Sequence, residues 1–333
     1  MTRAAAPDRA GRLLAWAVRL LPSGQQDWGR AMRAELAALG PGPARWRFAL
    51  GCARVAVTRP TAIRAAASTL LVAAAAALGV ALALEIADPA LRAETVGLLT
   101  LLAVTCWLGR RFGPVAGRLA GAVRAGGYAA IGAFAVLLIN SFRLWPQPEA
   151  HDSVSTAMPI YTVVATAYLL ALLAVTRRRS PLAARALATA ATVAVLAALV
   201  WFTVVLILPP VPTDAAGALV LVIAAASLAA ALTTGRTEQR LTAALCAGAA
   251  AAMLIVVLAN GLLQLLHRWV PDTLGTAAPP EMTAAQRLSA NENQAQDPYV
   301  GVMFLGLLLA VALILAIVSI RRQDRPELAG LPG

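Results

Sequence analysis

Three polar side chains recur at helical spacing inside one apolar stretch: Asn260, Gln264 and His267 stand at i, i+4 and i+7. At 100° per residue they fall within about 60° of one another, on a single stripe. Two amides and an imidazole so placed can bind a polar solute or pass hydrogen bonds to a neighbouring helix. Polar groups are costly in hydrocarbon, which makes their positions informative. Asn140, Ser141 and Arg143 end a second apolar stretch, Glu85 closes a third, and Tyr161 and Tyr168 share a face of a fourth. Glu85, Asn140, Arg143, Tyr161, Asn260, Gln264 and His267 are therefore the candidate lining of an outer polar cavity. The competing expectation is interhelical hydrogen bonding of about 0.6 kcal/mol per contact, with Glu85, Arg143 and His267 snorkelling to the interface.

Catalytic chemistry finds less support. The two histidines are His151 and His267, and "HDS" at 151–153 sets His, Asp and Ser side by side. A catalytic relay is a three-dimensional arrangement, which adjacency in the chain does not supply. His151, Asp152 and His267 lack metal-ligand spacing. There is no H-E-x-x-H, no G-x-S-x-G and no Walker loop. The expectation is no catalytic residue, no metal, no cofactor and no enzyme. Cys52, Cys106 and Cys246 are odd in number and lack C-x-x-C spacing, which argues against a disulfide framework or zinc site and for inert thiols.

The elements that must position these groups are membrane helices. The 333-residue chain is 60% hydrophobic and 13% charged, whereas soluble domains carry about 25% charged residues. Eight apolar segments approach the ~20 residues needed to span hydrocarbon. They cover about 65–87, 93–108, 126–145, 158–176, 186–208, 215–234, 241–267 and 299–320. The expected fold is an all-α polytopic helical bundle.

The net charge of +12 comes from 28 basic residues, every one an arginine. These lie before and between the apolar segments, without a zinc-finger, RNP or basic-zipper pattern, so nucleic acid is not an expected partner. With eight spans and both ends inside, 24 of the 28 arginines face the cytoplasm, leaving Arg92, Arg143, Arg268 and Arg287 outside. Asp88, Glu94, Glu149, Asp152, Asp214, Asp272, Glu281, Glu292 and Asp297 fall on the outer side. Removing one span would break the alternation, so the positive-inside rule points to a bacterial cytoplasmic membrane with both termini cytoplasmic. The inner loops "RRFGPVAGRLAGA" and "RRSPLAARALATA" resemble each other. That is what a repeated hairpin leaves, and also what positive-inside charge and alanine bias generate unaided. The largest outer segment, 268–298, is expected to hold one short helix from Glu281 to Leu288, and 321–333 forms a cytoplasmic tail.

Residues 1–64 read as a cytoplasmic module of three amphipathic helices. The first, about 9–21, gathers Leu13, Leu14, Ala17, Val18, Leu20 and Leu21 on one arc, opposite Arg9, Arg12, Trp16 and Arg19. Such a helix can lie among lipid headgroups. The second begins at the N-cap candidate Asp27 and stops at Gly40-Pro41. It aligns Trp28, Met32, Leu36 and Leu39, with Glu35 at the edge of the stripe. Trp28, Met32, Glu35, Leu36 and Leu39 are the candidate partner-docking residues. If the stripe is docked, Glu35 should meet Arg45, Arg47 or Arg54. Otherwise it is solvated, in a setting where an ion pair contributes about 0–1 kcal/mol. The third, "ARWRFALGCARVAVTR", aligns Trp46, Leu50, Ala53 and Val57.

The segments "WGRAMRAELAAL" and "FALGCARVAV" resemble the N-terminal segment of uncharacterised actinobacterial integral membrane proteins. There a W-x-x-A-M-x-A-E-L helix precedes an F-A-x-G-C-x-R helix. The matching positions are Trp28, Ala31, Met32, Ala34, Glu35 and Leu36, then Phe48, Ala49, Gly51, Cys52 and Arg54. The resemblance implies a family of membrane proteins and assigns no chemistry. The expected function is a non-enzymatic interaction or regulatory protein whose module docks a cytoplasmic protein or the lipid bilayer. The alternative is a small-molecule transporter or permease-like subunit using the outer cavity.

Overall fold

Several helices begin where a side chain can satisfy the free N–H groups of a first turn. The computed structural model describes residues 8–19, 26–58, 73–74, 77–86, 88–109, 115–144, 151–178, 180, 182–207, 215–234, 237–265, 272 and 275–323. These fold into helices, with no strand among the described residues beyond one isolated bridge between Val115 and Arg177. The chain divides into two compact units, Met1–Ala74 and Ala75–Gly333. The expected boundary at residue 64 lies outside the described residues.

The first unit holds α1 (Arg9–Arg19), α2 (Gln26–Ala38) and α3 (Pro43–Thr58). Asp8 caps α1 by accepting the Gly11 N–H at 2.8 Å. Gly42, at φ 153°, turns the chain into α3, and Pro43 supplies a first residue that needs no N–H partner. The core is built of Ala10, Leu14, Ala17 and Val18 from α1, Met32 and Leu36 from α2, and Ala49, Ala53 and Ala56 from α3. Alanines on α3 let α1 approach closely. This overturns the expected α3 stripe: Ala53 is buried, but Trp46 and Leu50 face outward. The apolar arc of α1 is likewise spent on its neighbours rather than left for lipid.

One guanidinium joins all three helices. Arg45 in α3 donates to Asp8 Oδ2 at 2.9 Å, to the Leu39 carbonyl at 2.6 Å and to the Leu36 carbonyl. It pairs the N-cap of α1 while capping the open carbonyls that end α2, where a cation is favoured.

The second unit contains α4 (Pro89–Gly109), α5 (Arg118–Leu144), α6 (His151–Thr176), α7 (Ala184–Ile207), α8 (Ala215–Leu232), α9 (Thr237–Leu265) and α10 (Ala284–Gln323). Six of these are long and apolar enough to cross a membrane, and the apolar stretch of α8, Ala216–Leu232, is shorter. Of the expected first span, 77–83 is helical and 65–72 lies outside the described residues. Outward-facing Leu199, Val200, Leu221, Leu232, Leu308 and Leu315 suit lipid contact.

The central helix is α9, which packs against α5, α7, α8 and α10. Its run of Ala243, Ala247, Ala249, Ala251 and Ala252 is buried. A side chain at Gly248 would strike Ser227 of α8 and Leu309 of α10. A side chain at Gly306 of α10 would strike the Tyr168 hydroxyl of α6 and Ala252 of α9. Small residues at these crossings bring backbones together in the way membrane helices associate.

Helix ends correct several expectations. Asp88 accepts the N–H groups of Ala90 and Leu91 at 3.0 and 3.1 Å, and Pro89 follows as first residue, so the second span starts at 89 rather than 93. The third starts at 118 rather than 126, because the alanines and glycines after Arg118 offer no breaker. The short helix expected over 281–288 instead begins at Ala284 and runs unbroken through the last span. Thr283 and Gln286 form a reciprocal capping box: the Thr283 N–H donates to Gln286 Oε1 at 2.9 Å, and the Gln286 N–H to Thr283 Oγ1 at 3.3 Å. Pro298 is accommodated within the helix. Ahead of the apolar window of α10, Arg287 grips Asp272 through Nε at 3.2 Å and Nη2 at 2.6 Å, while Asn291 donates to Asp272 Oδ1 at 3.1 Å.

Two outcomes are expected. Arg45→Ala leaves carbonyls uncapped and should cost the first unit about 2 kcal/mol, read as faster hydrogen exchange in α1 and α2. Asp8 is held below the usual carboxylate range first by the Gly11 N–H and then by Arg45. Its contribution is thus complete above the unfolded-state pKa and disappears as pH falls through the lowered folded-state pKa. Exchange corrected for its intrinsic pH dependence should accelerate in α1 over that interval. In the second unit, Gly306→Ala should destabilise the chain by about 1–3 kcal/mol through overpacking. Tyr168→Phe should lie within about 1 kcal/mol of the parent in thermal unfolding, because the buried hydroxyl makes no hydrogen bond.

Candidate functional site

Among the described residues, the side-chain hydrogen bonds of longest range in the second unit join α5 to α9 near the ends of both helices. Gln264 Nε2 donates to the Leu137 carbonyl at 3.0 Å and to Ser141 Oγ at 2.6 Å. Its Oε1 accepts from Asn140 Nδ2 at 2.9 Å. Ser141 Oγ in turn donates to the Leu137 carbonyl at 3.0 Å. All three side chains are half-buried. Both N–H groups of Gln264 and its oxygen are thereby engaged.

Of the cavity residues expected from sequence, the structure brings Asn140 and Gln264 together. Asn260 donates to the Val256 carbonyl of its own helix at 2.8 Å, one turn from the clasp. Tyr161 of α6 packs edge-on against Phe134 of α5, with ring centroids 6.2 Å apart. It therefore lies on the α5–α6 seam rather than the α5–α9 seam. Glu85 is exposed. His267 and the Arg143 side chain lie outside the described residues, as do the side chains of His151, Asp152 and Ser153 in the first turn of α6. Among the described residues no group of three His, Cys, Asp or Glu side chains could hold a metal ion.

The docking stripe of α2 divides. Met32 and Leu36 are buried against α1 and α3, Leu39 is half-buried, and Trp28 and Glu35 are exposed. The stripe does dock, but within its own unit. The expected ion pair is replaced: Arg45 goes to Asp8 and to the end of α2, while Glu35 has no ion-pair partner among the described residues. Glu35 lies close enough to Cys52 to act on it electrostatically. Burial pushes the Cys52 thiol up, and the Glu35 charge adds to that shift. An elevated thiol pKa fits an unreactive cysteine.

Sequence reasoning missed Arg124. It was assigned to a loop, yet it lies on α5 and donates from Nε to Thr176 Oγ1 at 2.8 Å. The Ala116 N–H donates to the Thr176 carbonyl at 3.2 Å, beside the Val115–Arg177 bridge. The start of α5 thus meets the end of α6. A polar pair 52 residues apart leaves no local pattern, but an arginine one and a half turns into a helix was a readable sign. Glu94 was also passed over; one of its carboxylate oxygens is buried in α4 without a hydrogen bond.

The clasp is testable by a double-mutant cycle on thermal unfolding. Gln264→Leu and Asn140→Leu should each destabilise the chain. The double variant should recover a coupling of about 0.6–1.7 kcal/mol. A cycle that sums to zero would remove the clasp as a joint between α5 and α9.

No protein-family model, no curated protein and no solved structure matches this chain.

Proposed function

We propose that this chain is a non-enzymatic interaction or regulatory protein of a bacterial cytoplasmic membrane, with eight spans and both termini inside. Its N-terminal three-helix unit is the part that engages other components. The observation carrying this reading is that the unit has a core of its own and still presents Trp28 and Glu35 outward. The W-x-x-A-M-x-A-E-L and F-A-x-G-C-x-R patterns support its being a recurrent segment of actinobacterial membrane proteins. Arginine distribution supports the orientation, because 24 of 28 arginines then face the cytoplasm.

A second reading, a small-molecule transporter or permease-like subunit, draws on the meeting of Asn140, Ser141 and Gln264. Their amide and hydroxyl groups are engaged with one another and with backbone, which favours the first reading.

Topology is checked with truncation fusions. Alkaline phosphatase should be active after Ala278 and inactive after Ser180, while a cytoplasm-maturing fluorescent protein should give the reverse. The opposite pattern at either point would break the eight-span arrangement. For the module, a photocrosslinking side chain at Trp28 in the native cell should capture lipid or a second polypeptide. Adducts confined to this chain would remove the interaction role. The transporter reading requires that liposomes carrying the full chain swell in iso-osmotic amino acids or sugars, and that Asn140→Leu/Gln264→Leu abolish the swelling.

A further inference from the structure

The first unit displays several large apolar side chains, while small ones fill much of its core beside Leu14, Val18, Met32 and Leu36. Its core uses five alanines, whereas Trp16, Trp28, Trp46, Leu50 and Val55 are exposed. On α3 this arrangement has a definite geometry. Ala49, Ala53 and Ala56 face inward. Trp46, Leu50, Arg54 and Arg47 follow one another around the outer surface within about 100°. Trp46 is 43% exposed and Leu50 54%, values that water-facing residues of this size reach at a cost. Arg47 and Arg54 are exposed, and neither has an acidic partner among the described residues. The unit's acids are committed elsewhere or lie apart: Asp8 pairs with Arg45, Asp27 with Arg30, and Glu35 faces Cys52. A Cβ at Gly51, on the same outer side, would meet nothing within 4 Å.

We propose that this outer face of α3, with Trp46 and Leu50 beside Arg47 and Arg54, seats the unit on a bilayer surface bearing anionic headgroups. The proposal rests on the reading of the N-terminal unit as an interaction module, and it names that module's partner. Indole rings favour the headgroup level, where the apolar ring and the N–H both find suitable surroundings. Leucine reaches further, into the acyl boundary. Guanidinium groups are drawn to anionic lipid over the distance of a Debye length. A protein partner would need a complementary acidic, apolar groove. A bilayer needs only to be near, and the same chain carries helices apolar enough to span one. The face is also the reverse of a detachable amphipathic helix: the small-residue side holds the helix to its unit, and the large-residue side is left for lipid.

The test uses the full chain with Cys52→Ser, Cys106→Ser and Cys246→Ser, and a nitroxide on Leu50→Cys. It is reconstituted in phosphatidylcholine vesicles with or without phosphatidylglycerol. Collision of the label with oxygen, which concentrates in lipid, is compared with collision with a water-soluble nickel chelate. With phosphatidylglycerol present, the label should become oxygen-accessible and nickel-shielded. Arg47→Gln/Arg54→Gln should reduce the seated-to-free ratio roughly ten- to thirty-fold. A second label on Ala34→Cys, on the outer side of α2, should keep one line shape throughout, which verifies that the unit stays folded.

Equal nickel accessibility in both lipids would overturn the proposal while leaving the module itself to be judged by the Trp28 crosslink. Shielding that persists without anionic lipid and without both arginines would also overturn it, and would assign the face to a protein surface. An altered Ala34 line shape in the glutamine variant calls for Arg47→Lys/Arg54→Lys in its place. That variant keeps the charge and should retain seating; loss of seating with the fold intact would overturn the proposal.

Discussion

In hydrocarbon, one helix gains nothing by hiding apolar surface from water, so helices hold together only as well as their backbones can approach. That constraint explains why α9 is the centre of the second unit. Its buried alanines and Gly248 form a surface against which α7, α8 and α10 can lie closely, and Gly306 of α10 completes the crossing at Tyr168. Leucines divide between the two sides: Leu98, Leu169, Leu187 and Leu219 fill the core, while Leu199, Leu221, Leu308 and Leu315 turn outward. Small residues set how closely the backbones cross, and large ones fill the space around the crossings.

The first unit has alanines in its core and tryptophans on its surface, but its specificity is electrostatic. Three short helices with an alanine-rich core have little burial to fix their ends. Arg45 supplies that by acting on two helix termini at once, balancing the Asp8 charge and completing carbonyls that the end of α2 leaves open. In the second unit the equivalent role falls to neutral amides. Gln264 satisfies a carbonyl, a hydroxyl and an amide of α5 without placing a charge in the apolar region. Both devices tie groups distant in the chain, and each engages several partners through one side chain.

Much of the fold was legible because its signals are local. Gly40-Pro41 and the apolar runs mark helix ends through neighbours in the chain. Their errors share a cause: alanine and glycine neither break a helix nor mark its apolar side. α5 starts eight residues before its expected span and α10 well before its own, because a polar stretch does not by itself end a helix. The site was legible in part. The Asn260–Gln264 spacing correctly set both side chains on one stripe, but periodicity does not say which neighbour faces that stripe. Gln264 meets α5, while Asn260 turns back to its own backbone. Likewise the α2 stripe was readable as amphipathic. What covers it, α1 and α3, depends on turns whose geometry is not a pattern of hydrophobicity.

The 40 residues of α10 make a rod about 60 Å long at 1.5 Å per residue, roughly twice the thickness of hydrocarbon. Its apolar window runs from Gln294 to Ile320, so its first ten residues project as a handle about 15 Å long. The Asp272–Arg287 pair grips that handle, and Pro298 is the place where the shaft has lost a backbone hydrogen bond and bends most cheaply. Mechanically this is a lever with one compliant joint. A load applied to the grip divides between bending at the joint and tilting of the shaft, and the shaft portion reaches the far end of the helix without passing through any loop.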